Sequence, residues 1–208
     1  ALALAQAKAV TLKMAQTATK ALCDAVRTFP SADGITAKAI RDAETECDRY
    51  EDIIGTYLIK VSAAKLGKEE SEEVTLLLKV IGDYERISDH AVNLLESAEE
   101  LQEKKLQLSA EAMREFGVLR DAVTETLSLS EKAFETLNTE TAAMVEPLEQ
   151  VIDGLKEQLR TRHILRMKEG KCSAEVGFVF SDVLTNLERV SDHCSNIAGC
   201  VLDNAKHN

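Results

Sequence analysis

Proline and glycine are scarce, two and nine residues among 208. Folds built from many short strands need frequent chain breakers, so their shortage, with long periodic segments between the few breaks, points to an all-α fold. Cysteine is too sparse for a scaffold. The five, at positions 23, 47, 172, 194 and 200, make an odd number with no CxxC pair. That excludes a disulfide framework and zinc-finger spacing, and most of them fall at apolar-stripe positions as small core residues of a reducing compartment. Clusters of Lys and Arg are few and the formal charge is −11. Phosphate contacts need such clusters, so nucleic acid is excluded as a partner, and cations or basic proteins suit the surface better. No run of eighteen apolar residues and no signal peptide occurs, so no segment is expected to span a membrane. Nucleophile triads, Gly-rich phosphate loops and dinucleotide fingerprints are also missing, and no enzyme activity is expected. Ala rather than Met stands first, as in a piece excised from something longer or in a trimmed expression product.

What is present is a soluble, globular balance of 45% hydrophobic and 29% charged residues. The breaks divide it into six long helices. The first covers 1–29 and stops at Pro30, Asp33 and Gly34. The second runs from about 35 to 66, with Gly67 as a C-terminal cap. The third runs from about 70 to 105, with Glu69, Glu70, Glu72 and Glu73 at the positive end of its dipole. Ser109 caps a fourth, to about 137. A fifth ends near 168, and Pro147 either lies in its first turn or kinks it. Ser173 caps the sixth.

The chain is an internal repeat. Glu85-Arg86-Ile87-Ser88-Asp89-His90 returns as Glu188-Arg189-Val190-Ser191-Asp192-His193, 103 residues later, and 83–93 against 186–196 gives six identities in eleven positions. Leu77, Val80, Tyr84, Ile87, Ala91, Leu94 and Ala98 draw one apolar helical stripe. Phe180, Val183, Leu187, Val190, Cys194, Ile197 and Val201 repeat it. The reading is two tandem antiparallel three-helix bundles, residues 1–106 and 107–208, either as one long six-helix bundle or as two bundles packed together.

The polar motif is more than packing requires. Residues four apart on a helix lie about 40° apart around the axis, so Glu85 and Asp89 share a face, as do Glu188 and Asp192. The second helix of each half adds a pair at the same spacing, Glu44/Asp48 and Glu149/Asp153. If helices two and three are neighbours, four carboxylates converge per half. Such a cluster needs solvation, Arg or Lys pairing, protonation or a cation. Oxygen-rich sites suit Mg, Mn or Fe(II) and, less selectively, Zn or Ca. A single ExxxD pair is usually a solvated face. Recurrence of all four acidic positions in both halves favours cation binding, on a side of the helix away from the Ile87 stripe and near the surface. His90 and His193 point about 100° from their neighbouring Asp and are weaker ligands. Arg86 and Arg189 could instead neutralise the carboxylates. Arg160, Arg162, His163, Arg166 and Lys168 read first as cations at a helix C-terminus and second as a phosphate or docking patch. Tyr50, Tyr57 and Tyr84 read as core-edge packing.

With both motifs laid out, the chain resembles the PhoU family across both repeats. Glu85-Arg86-Ile87-Ser88-Asp89-His90-Ala91 and its second copy look like that family's helix-three signature, and Glu44/Asp48 and Glu149/Asp153 like its helix-two carboxylates. Ser88 and Ser191 depart from the Gly usual before the Asp. Asp48-Arg49-Tyr50-Glu51-Asp52, Arg162-His163-Ile164-Leu165-Arg166 and Asp192-His193-Cys194-Ser195-Asn196 look closest to the PhoU-like tail of bacterial sodium/phosphate cotransporter-like proteins. The resemblance implies divalent or trivalent metal ions, Fe, Zn or Mn, at Glu44, Asp48, Glu85, Asp89, Glu149, Asp153, Glu188 and Asp192. It implies a regulatory role in phosphate transport and homeostasis at the cytoplasmic face of the cell membrane. The partner would be a membrane phosphate transporter domain on the same or a separate chain, and a homodimer is compatible. The alternatives are a stand-alone regulator of a phosphate ABC transporter, a di-metal carboxylate bundle enzyme, and a plain scaffold. The enzyme is disfavoured because no His has a Glu three residues before it.

Overall fold

The computed structural model describes residues 2–206 and contains only helices among them: α1 Leu2–Thr28, α2 Gly34–Ser62, α3 Lys68–Glu103, α4 Ala110–Thr136, α5 Thr139–Ala143, α6 Val145–Lys168 and α7 Ala174–Lys206. The expected six long helices are present, and the additional α5 is a single short turn. Its cause is Pro147. A proline at that position cannot donate to the Ala143 carbonyl and its ring crowds that oxygen, so the helix breaks at Met144 and restarts with Pro147 in the first turn of α6.

The caps follow local chemistry. Ser109 accepts from the Ala112 N–H at 3.1 Å, and Ser173 from the Val176 N–H at 3.2 Å. Asp33 does the same for Thr36 at the start of α2. Gly67 differs from the expectation. α2 already ends at Ser62, and Gly67 is the N-cap of α3, its N–H donating to the Glu70 carboxylate at 3.2 Å. An acidic first turn makes that role the better one, because Glu70 satisfies an N–H that the helix start leaves free.

α1, α2 and α3 pack on one another, α4, α6 and α7 do likewise, and α3–α7 and α1–α4 join the halves. The arrangement is therefore two packed three-helix bundles. Both apolar stripes of α3 and α7 are buried throughout. The second helices repeat as well: Ile40, Cys47, Ile54 and Leu58 are buried in α2, and Val145, Ile152, Leu159 and His163, each 105 positions on, are buried in α6. This shared register sets the acidic residues of α2 beside those of α3, and those of α6 beside those of α7.

The cation cluster near 160–168 separates in space. Arg166 and His163 are buried, Arg166 forming an ion pair with Glu115 of α4 and lying 3.6 Å from Glu111. Arg166 donates to His163 Nδ1 at 3.0 Å, so the ring proton sits on Nε2, which faces the Cys172 sulfur at 3.5 Å. Burial, then the neighbouring guanidinium, push the His163 pKa down to about 4. These two residues tie α4, α6 and the α6–α7 turn together, whereas Arg162 and Lys168 remain exposed. Tyr84 is a fully buried core residue, and only Tyr50 and Tyr57 lie at the edge.

Candidate metal sites

In the first half, Glu44 and Asp48 of α2 and Asp89 of α3 each bring a carboxylate oxygen within 4.8 Å of the others; in the second, Glu149 and Asp153 of α6 and Asp192 of α7 do the same. Close approach of the helices makes this possible. Ser88 and Ser191, directly before the two aspartates, are fully buried and turn their hydroxyls to the carbonyls of Glu85 and Glu188 at 2.6 Å. A small side chain that satisfies its own hydroxyl lets the partner helix pack close, so Ser serves there without disturbing the aspartate.

The fourth predicted acid of each half is placed differently. Glu85 lies against Asp89 and Asp48. Glu188 instead accepts an ion pair from Lys156 at 3.0 Å. Glu51, one turn beyond Asp48, also faces Asp48 and Asp89 and joins the first cluster. Both Glu51 and Lys156 escaped the sequence reading. The signal was available: the two are related by the same shift of 105 that relates Glu44 to Glu149 and Asp48 to Asp153.

Crowding shows in the acidities. Burial, then Asp48 and Asp89, raise Glu44 to about 7. Burial, then Asp89 and Asp48, raise Glu85 to about 8. Burial, then Asp153 and Asp192, raise Glu149 to about 8. Each cluster thus holds a proton near neutral pH when nothing else neutralises it. Arg86 gives little relief, an exposed side chain with Nε 3.9 Å from Glu85. An oxygen of Asp153 is buried with no hydrogen-bond partner. An all-carboxylate donor set with an unsatisfied buried oxygen fits hard and borderline cations such as Mn, Fe or Zn.

His90 and His193 turn away from these clusters into the α3–α7 seam. His90 Nδ1 donates to Asn186 Oδ1 at 2.7 Å, and His193 Nδ1 to Asp83 Oδ1 at 3.0 Å. Asn93 and Asn196 donate to the same two acceptors, at 3.1 and 3.4 Å. Each repeat therefore grips the other through residues adjoining its own carboxylates.

Two packed three-helix bundles, each with a carboxylate trio between its last two long helices, define a tandem-repeat helical protein with paired acidic platforms. The PhoU domain profile matches residues 11–98 and 118–201, and the chain belongs to the PhoU family. It is 27% identical over 190 residues to the Thermotoga maritima phosphate-specific transport system accessory protein PhoU homolog 1, covering 89% of this chain and 79% of that protein. An uncharacterized Deinococcus radiodurans protein is 25% identical over 166 residues, covering 79% of this chain and 59% of that one. Among solved structures, PhoU from Pseudomonas aeruginosa superposes with a TM-score of 0.93 at 21% identity, over 100% of this chain and 99% of the other. PhoU from Streptococcus pneumoniae gives 0.87 at 19%, over 100% and 97%. At these identities the structural likeness establishes the fold.

Proposed function

We propose that the chain is a metal-binding regulator of phosphate transport, acting on a membrane transporter from the cytoplasmic side. The observation that carries the metal platform is the recurrence, at equivalent positions of both halves, of three carboxylates with oxygens within 4.8 Å of one another. Glu44, Asp48 and Asp89, with Glu85 beside them, would hold ions in the first half; Glu149, Asp153 and Asp192, beside Glu188, in the second. Fe, Zn or Mn suit such oxygens, and the bound ions supply positive charge to an otherwise acidic surface. No helix among the described residues is long and apolar enough to cross a membrane, so the membrane part of the system lies outside these helices. The Thermotoga relative is named an accessory protein of a phosphate transport system, which favours a regulator of a separate transporter chain. The arrangement as a transporter's own cytoplasmic tail uses the same platforms.

Elemental analysis after chelator-free gel filtration tests the reading. Wild type should retain Fe, Zn or Mn at both clusters, and a variant with Glu44, Asp89, Glu149 and Asp192 changed to their amides should lose it while keeping its helical circular dichroism. Wild type that stays metal-free after reconstitution with each ion sinks the proposal, leaving the carboxylates as a docking surface for a basic partner.

A further inference from the structure

The two platforms differ at one position. Superimposing α2 on α6 by the shift of 105 matches each buried position of α2 with a buried one of α6 and aligns Glu44/Asp48 with Glu149/Asp153, yet places Lys156 where the first half has Glu51. The first cluster consequently gathers Glu44, Asp48, Glu51, Glu85 and Asp89, five acids. The second gathers Glu149, Asp153 and Asp192, and Glu188, one turn before Asp192 on α7, is paired with the Lys156 ammonium group.

Lys156 is not a solvated surface lysine. It is 7% exposed, and its Nζ contacts Glu188 at 3.0 Å and Glu157 at 3.4 Å. A lysine is buried to this degree only where opposite charge compensates its lost hydration. Its long stem crosses the apolar side of α6 between Ile152 and Leu159, both buried, and delivers the charge to the acid that corresponds to Glu85. In the first half the cation beside Glu85 is the exposed Arg86, 3.9 Å away, and Glu85 leans on Asp89 and Asp48.

We propose that Lys156 is a resident counter-cation that sets the cation capacity of the second platform, so that the first cluster is the tighter and more highly charged metal site and the second the weaker. This rests on the metal reading given above. It also assigns Glu51 to the first site as a further carboxylate. A positive charge fixed beside Glu188 repels an incoming divalent ion and withholds that carboxylate from it. A weakening of about tenfold or more is expected from the charge alone at partly solvated distances of several ångströms.

Each cluster is isolated by amide substitution of the other: Glu44→Gln with Asp89→Asn leaves the second, and Glu149→Gln with Asp192→Asn leaves the first. Titration with Mn²⁺, read as bound metal by equilibrium dialysis, should give tighter binding and higher capacity in the protein retaining the first cluster. Lys156→Glu should tighten the second cluster by about tenfold or more, and Glu51→Lys should weaken the first. Lys156→Met, which removes the charge while keeping the apolar stem, should tighten the second by part of that amount and serves where the glutamate variant folds poorly. Equal affinity of the two clusters, unchanged by Lys156→Met and Glu51→Lys, overturns this inference and leaves the metal reading intact. Absence of binding at both clusters overturns the metal reading, and this inference with it; binding at the second cluster alone overturns this inference.

Discussion

His90 and His193 face each other across the seam between the repeats, their ring centroids 5.6 Å apart. The pairing is nearly two-fold symmetric. Each histidine donates to position 186 or 83 of the opposite helix, and each acceptor also receives an asparagine, Asn93 or Asn196. The symmetry fails only at the acceptor, an amide at Asn186 and a carboxylate at Asp83. Asn186→Ala therefore leaves the Nδ1–H of His90, a buried side chain, and an amide of Asn93 without their acceptor. The expected cost is about 1–3 kcal/mol in urea denaturation. Because α3–α7 is a main contact between the halves, hydrogen exchange should then show protection falling most along that seam. Uniform loss of protection across both bundles would contradict the assignment.

The bundles and their stripes were legible because a buried helix face writes itself into the sequence every three or four residues. All seven apolar residues named on α3 and all seven on α7 are buried. The carboxylate trios were legible by the same periodicity, applied to acids. What a one-dimensional pattern cannot carry is a partner chosen across space. His90 looked like a residue simply pointing away from Asp89, and its partner Asn186 lies 96 residues on. Gly67 looked like a helix end because glycine serves both ends, and the Glu70 side chain decides between them. Arg166 read as a helix-end cation because Glu115, its partner, is 51 residues earlier.

That ion pair is the basis of the second prediction. Glu115 and Arg166 are 7% and 5% exposed, and they join α4 to α6. Glu115→Ala leaves a buried guanidinium whose nearest remaining acid, Glu111, is mostly exposed and 3.6 Å away. Removing one partner of a buried pair typically costs about 3–5 kcal/mol, and partial rescue by Glu111 should hold the loss toward the lower end. A Glu115→Met, Arg166→Met double variant should recover most of it, since two apolar side chains leave no charge unpaired. Chemical denaturation of the three variants checks this, and a double variant no more stable than Glu115→Ala would contradict it.

The third prediction links pH to metal. Glu85 and Glu149 titrate near 8 in the folded chain, against an ordinary value of 4.5. Between those values the folded state binds more protons than the unfolded one. These groups therefore contribute stability that is fully present below about pH 4.5 and is lost as pH rises through 8. Glu85→Gln replaces the protonated acid by a neutral group of the same shape. In metal-free protein it should raise Tm over wild type by an amount that grows from nothing near pH 4.5 to a few degrees above pH 8. His163 is present in both proteins and cancels from the difference. A cation replaces the proton in wild type, so added Mn²⁺ should raise the wild-type Tm, more strongly at pH 8 than at pH 6, and raise it less in Glu85→Gln. A metal-free Tm difference that stays flat with pH would show that Glu85 is not crowded by Asp48 and Asp89. A Mn²⁺ effect that is the same in both proteins would show that Glu85 takes no part in holding the ion.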